Sequence, residues 1–215
     1  MRVVDTENSP VMKKLNAQII KEKGVRILYN FYFGTRQLTC DRAIKKPEDL
    51  AKVKIRSIPF PIYMAAVEGM GAVATPVNWS EVPTALATGI VNGQENPVDV
   101  IYNNKLFELQ SHLMLTSHIM AAECVVINEK VWQKFPADIQ KKIMEAAREV
   151  SQKATQMTLD RESGNLAKIK SAGMTVIGEA EGLDREAFRK RTSNIVSERF
   201  GAEYGDLYRD IAAMK

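Results

Sequence analysis

The segment Val25-Arg26-Ile27-Leu28-Tyr29-Asn30-Phe31-Tyr32-Phe33 does most to limit what this chain can fold into. It is β-forming throughout and carries apolar residues on both of its alternating faces. It therefore predicts a strand in a sheet covered by helices on both sides. Residues 8–23 supply such a helix: Val11, Leu15, Ile19 and Ile20 fall at helical spacing, Ser9 can cap it, Pro10 suits its first turn and Gly24 stops it. Helix followed by strand is half of an α/β unit.

The alternation continues along the chain. Gly34 is read as breaking the first strand, with Thr35 to Cys40 extended again beyond it. A helical turn over 47–50 and a strand over 53–56 follow, and Pro59 and Pro61 force an extended approach to a helix over 62–69. Residues 72–77 predict a strand. Ser80 then predicts a helix cap, with Pro83 in the first turn and Gly89 as terminator. Residues 99–103 and 106–109 read as helical, 113–118 as extended and 123–128 as a buried strand. Pro136-Ala137-Asp138 opens a helix that runs to about Lys170, with Ile139, Ile143, Ala147, Val150, Ala154, Met157 and Ile169 on one stripe. At ~1.5 Å per residue it is roughly 50 Å long, so it either kinks or spans two lobes. A strand over 174–177 and two terminal helices, 183–200 and 204–214, complete an α/β pattern with no linker and no repeat.

Composition narrows the function. The 215 residues carry a formal charge of +4 without a basic cluster or interleaved aromatic residues, which argues against a nucleic-acid partner. Cys40 and Cys124 lie far apart and outside any C-x-x-C pattern, and His112 and His118 have no ligand-spaced neighbours, so no metal or cofactor is expected. The thiols read as free and partly buried, with a disulfide between them as the alternative if the protein is exported, and the histidines as ordinary surface or strand residues. No apolar run is long enough to cross a membrane, and Met1 opens no signal peptide. Either the protein is cytosolic or its natural beginning lies outside this sequence.

Candidate chemistry gathers between Lys54 and Pro97. Arg36 and Arg56 each sit in an extended segment beside turns, and a guanidinium offers a carboxylate two parallel hydrogen bonds. Arg56 follows the apolar Val53 and Ile55 and must be paired, either with Glu81, Glu95 or Asp99 in a structural salt bridge or with a ligand. Trp79 is either core or a stacking wall. Asn96, held out of helical geometry by Pro97, either bonds its own turn or a ligand. Glu81 and Glu95 could form a catalytic carboxylate pair, but no base or nucleophile is placed near them, and no phosphate-binding glycine pattern occurs. The chain is not expected to be an enzyme.

Taken together, Gly34-Thr35-Arg36-Gln37, Lys54-Ile55-Arg56, Pro76-Val77-Asn78-Trp79-Ser80-Glu81-Val82, Ala85-Leu86-Ala87-Thr88-Gly89 and Asn92-Gly93-Gln94-Glu95-Asn96-Pro97 resemble the DctP-like solute receptors of tripartite ATP-independent periplasmic (TRAP) transporters. The resemblance covers nearly the whole chain. It implies a periplasmic-binding-protein-like, two-lobed, hinge-closing α/β fold with a long lobe-spanning helix. It also implies a periplasmic location, a small organic acid as ligand and the TRAP membrane subunits as partners. Arg56 would bind the ligand carboxylate, Arg36 would stand beside it, Trp79 would pack on the ligand, Asn96 would bond it, and Phe60 would line the pocket. Residues 1–33 would be a remnant of lobe 1, 34–121 lobe 2, 122–160 the lobe-1 strand and spanning helix, and 161–215 the return to lobe 2. Two departures stand out: Pro83 replaces a larger residue, and the first lobe lacks its N-terminal part. The open apolar face this would leave favours a homo-oligomer, and in the alternative reading the chain is a truncated, non-binding, self-associating fragment.

Overall fold

The computed structural model describes residues 9–213. Helix α1 (Pro10–Lys23) begins where the sequence places its cap: the Ser9 hydroxyl accepts the Met12 N–H. It ends at Gly24, whose left-handed φ of 65° lets its N–H return to the Ile20 carbonyl. Asn8 and Met214, the outer limits of two expected helices, lie outside the described residues.

Strand β1 (Val25–Cys40) corrects the expectation at Gly34. The glycine does not end the strand. Its φ of 131° is open to glycine alone, and a Cβ there would stand 2.6 Å from Cβ of Pro97. The residue marks a close approach of backbones inside a continuous strand of 16 residues. Downstream come β2 (Lys54–Ser57), α2 (Pro61–Gly69), β3 (Val73–Pro76), α3 (Val82–Ala87), β4 (Gly93–Pro97) and α4 (Val98–Asn103). Ser80 does not cap α3: Trp79–Glu81 forms a 3-10 turn instead, and neither element takes a side-chain cap. Strand β5 (His112–Asn128) joins two expected strands into one of 17 residues. The short α5 (Glu129–Trp132), the helix α6 (Ala137–Ser171), β6 (Thr175–Ile177) and α7 (Arg185–Ala212) follow. Helix α7 runs unbroken through Gly201, where two helices are expected from the sequence: that glycine does not take the positive φ with which Gly24 ends α1.

The six strands form one mixed sheet in the order β3-β2-β4-β1-β5-β6. Strands β2 and β3, β2 and β4, and β5 and β6 run parallel, while β1 and β4 are antiparallel with Leu38 opposite Glu95 and Thr39 opposite Gln94. Contacts divide the chain into two units. The first gathers the described residues of Met1–Phe33, Ala121–Asp160 and Leu207–Lys215, and the second Gly34–Met120 and Arg161–Asp206. Every passage between them falls inside β1, β5, α6 or α7, which is why no linker is visible in the sequence.

In the first unit, the Asn16 side chain bonds both the N–H and the carbonyl of Ile27, and Arg26 forms a two-pronged pair with Glu129 at 2.8 Å. In the second unit the sheet is covered on both faces. Leu38, Cys40, Ile55, Val67, Met70 and Phe188 pack from β1, β2, α2 and α7. Val82, Leu86, Val98, Ile101, Leu113 and Ile169 form a second cluster, from α3, α4, β5 and α6. Leu113 and Met114, neighbours on β5, join opposite clusters, as strand alternation requires. Both cysteines are free thiols, Cys40 within this core and Cys124 exposed on β5.

Candidate ligand-binding site

The run Gly93-Gln94-Glu95-Asn96-Pro97 forms β4, each of its residues buried. Alternation sends Glu95 to the face of Leu38 and Ile55, and Gln94 and Asn96 to the other. Arg56 lies opposite Gln94 on β2 and shares that second face. Both Arg56 and Asn96 stand one residue from the carboxyl end of their strand. The carboxyl ends of parallel strands are where open α/β sheets bind ligands.

Arg56 is only 3% exposed. Its Nε donates to the Val77 carbonyl at 2.9 Å, and its guanidinium carbon lies 5.7 Å from the centre of the Trp79 ring. Among the described residues no carboxylate forms an ion pair with it, and its four terminal N–H groups have no protein acceptor. Burial lowers its pKa, the charge of Glu95 opposes that shift, and Arg36 adds to it. The structural salt bridge to Glu81, Glu95 or Asp99 is therefore not made.

Glu95 is committed elsewhere. Arg36 grips it through Nε to Oε2 and through Nη2 to Oε1 at 2.9 Å, and Nη2 also donates to the Glu95 carbonyl and to Oδ1 of Asn96 at 3.0 Å. The Tyr63 ring lies 5.4 Å from the Arg36 guanidinium. His118 Nε2 stands 3.2 Å from Oε2 of Glu95, and its Nδ1 is 2.8 Å from the Thr116 hydroxyl. The carboxylate only accepts, so Nε2–H is the donor in the contact with Glu95. Burial alone would raise the Glu95 pKa; the hydrogen bonds from His118 and Arg36 outweigh it and hold the carboxyl below its ordinary value. Asn96 donates to Gln94 Oε1 at 2.5 Å, and Gln94 donates to the Thr39 hydroxyl at 2.9 Å.

The structure thus brings Arg36, Arg56 and Asn96 into one buried polar cluster and lays Trp79 against Arg56. Trp79 is not core: it is 44% exposed on its 3-10 turn. Phe60, at the start of α2, is 60% exposed. Glu81 is exposed, and Glu95 is bound instead by Arg36 and His118, so the two carboxylates are not brought together as a pair. Among the described residues no three His, Cys, Asp or Glu side chains cluster to hold a metal. Sequence reasoning missed His118, taken for an ordinary residue, whose side chain is fully buried on Glu95. The available signal was its even spacing from Met114 and Thr116 on β5.

A sheet covered on both faces, with an unpaired buried arginine at the carboxyl ends of its parallel strands, defines an α/β fold of the periplasmic-binding-protein type. The chain belongs to the DctP family: residues 3–202 match the bacterial extracellular solute-binding proteins, family 7. A solute-binding protein of Verminephrobacter eiseniae is 37% identical over 167 residues, covering 77% of this chain and 49% of that protein. A TRAP periplasmic solute-binding protein of Bordetella bronchispeptica, with density assigned to pantoate, superimposes with a TM-score of 0.87 at 29% identity, over 97% of this chain and 68% of that one. A Roseobacter denitrificans TRAP solute-binding protein with bound L-galactonate gives a TM-score of 0.84 at 28% identity, over 95% of this chain and 68% of its own. The chain spans about half the length of the curated relatives it matches.

Proposed function

We propose that this chain is the carboxylate-holding part of a periplasmic solute receptor that delivers a small organic acid to TRAP membrane subunits. One observation carries the reading: Arg56 is buried, charged and, among the described residues, without a carboxylate of its own. A ligand carboxylate completes it through two parallel hydrogen bonds. Nη1 of Arg36, the guanidinium nitrogen not engaged with Glu95 or Asn96, and the remaining N–H of Asn96 reach the same carboxylate, while Trp79 and Phe60 contact the body of the ligand. The pantoate and L-galactonate on the two structural relatives are both carboxylates, which supports the class. On this reading the protein binds and releases its ligand without chemical change. On this reading the two units are the receptor's two lobes, 34–120 and 161–206 the second, and 121–160 with the described parts of 1–33 and 207–215 the first.

The test is a thermal-shift and calorimetry panel of small carboxylates and their amides, with Arg56→Ala alongside. A ligand at a hundred times its Kd should add about 2.7 kcal/mol of stability. The response should appear with acids, vanish with amides and vanish in the variant. Equal binding of acid and amide overturns the reading. The exposure of Val126, Val131, Val150, Met157 and Leu159 in the first unit favours a second reading, a self-associating chain. Light scattering that gives a monomer removes it.

A further inference from the structure

Two arginines and one glutamate meet at this site, and their charges do not cancel. Arg36 and Glu95 are 4% and 1% exposed at their side chains and are bound to each other. The charges acting on Arg56 are those of Glu95 and Arg36, in opposite senses. We propose that Glu95 sets the charge of the ligand: it neutralises Arg36, leaves Arg56 as the single uncompensated cation, and so makes the anchor accept a group with one negative charge and reject a compact dianion. The inference rests on the receptor reading and adds to it a rule about which acids qualify.

The reasoning is one of charge balance in a desolvated place. A buried charge must be matched, and a surplus is as costly as a deficit. One carboxylate brings Arg36, Glu95, Arg56 and ligand to neutrality. A second negative charge within reach of Arg56 would face Glu95 with no cation left to answer it, and like charges brought together without solvent are a means of exclusion. Glu95 cannot swing away to relieve the repulsion. Both of its oxygens are held, Oε1 by Arg36 and Oε2 by Arg36 and His118, and its backbone is fixed in β4 between β1 and β2. His118, itself oriented by Thr116, is a positioning residue for the charge rule.

Sulfate and methanesulfonate test the rule, because both are tetrahedral about sulfur and present at least three oxygens, and a methyl in place of the fourth oxygen lowers the charge by one. Binding is measured by calorimetry at fixed ionic strength and neutral pH, with the best carboxylate of the panel as reference. The unaltered protein should bind methanesulfonate at least as well as sulfate. Glu95→Gln frees a second positive charge and should shift the ratio toward sulfate by about tenfold or more, and the gain should disappear when Arg56→Ala is added. Should Glu95→Gln fail to fold, the ratio measured on the unaltered protein decides alone. A sulfate preference of about tenfold in the unaltered protein overturns the rule, as does a folded Glu95→Gln with no gain. If the unaltered protein binds methanesulfonate over sulfate but no carboxylate, and Glu95→Gln reverses that order through Arg56, the receptor reading fails and the charge rule stands. If it binds acids and Glu95→Gln changes nothing, the reading stands and the rule fails.

Discussion

Gly93→Ala should be among the most damaging single-methyl changes this protein can suffer. Gly93 opens β4 and lies opposite Cys40 on β1 and Ile55 on β2. Its backbone is not in the left-handed region, so alanine meets no torsional objection. The objection is space. A Cβ there would sit 2.1 Å from the Thr39 carbonyl oxygen, 2.9 Å from Cδ1 of Ile55 and 3.1 Å from Cα of Cys40. The nearest atom is backbone in a neighbouring strand, roughly 1 Å closer than a Cβ tolerates, and Ile55 is fully buried with nowhere to turn. Relief requires β1 and β4 to part. Overpacking of this kind costs about 1–3 kcal/mol, and each ladder bond lost adds about 0.5–1.5 kcal/mol. We predict a loss of about 3–5 kcal/mol in urea unfolding, followed by Trp79 fluorescence in a Trp132→Phe background so that the second unit reports alone. Carboxylate binding should weaken as well, since Gln94, Glu95 and Asn96 move with the strand. A variant within about 0.5 kcal/mol of its parent, the scatter of harmless substitutions, would refute the reasoning.

Gly164→Ala should do the opposite: it lies inside α6 with nothing within 4 Å of its added methyl, and the same urea titration should show a gain of about 0.5–1 kcal/mol. Ser9→Ala removes the cap on α1 and should cost about 1 kcal/mol in thermal or chemical unfolding. Because the folded pKa of Glu95 lies below the ordinary value of 4.5, its contribution to stability is present above about pH 4.5 and lost as pH falls through the depressed value; unfolding followed from pH 7 to pH 2 should show that loss, and Arg36→Met/Glu95→Leu should flatten it. Cys124 is exposed, whereas Cys40 is buried with its pKa raised to about 11 by desolvation, so a thiol reagent should titrate one cysteine in the native protein and two after denaturation.

The residues that announce the fold do so locally. The two-faced apolar run of β1, the cap and stop of α1 and the long apolar stripe of α6 each need only their own neighbours in sequence to be read. Gly34 misled because the reason for its positive φ of 131° inside a strand lies far off in sequence: Pro97 stands where a side chain would go. A strand kinked by tertiary contact looks from its sequence like a strand that stops. The site divides the same way. Arg56 stood out because a charge in an apolar strand is anomalous by itself. The bond from Arg36 to Glu95 spans 59 positions and that from His118 to Glu95 spans 23, and no spacing rule of helix or strand reaches so far. Glu95 could be weighed as a partner for Arg56, but not assigned to Arg36.

That assignment decides what the site can do. Had Glu95 paired with Arg56, the anchor would be neutral and Arg36 would stand as the open cation. The sheet prevents this by parity: Arg36 and Glu95 share one face and Arg56 projects to the other. Arg56 is then kept charged in a desolvated place by weaker means, the face of Trp79, the Val77 carbonyl and the field of Glu95 acting without a hydrogen bond. Such an arrangement is less favourable than a bonded pair, and the difference is recovered when a carboxylate arrives. The affinity of the proposed receptor for acids therefore begins in the register of β4 against β1 and β2, which withholds the one internal carboxylate that could have filled the site.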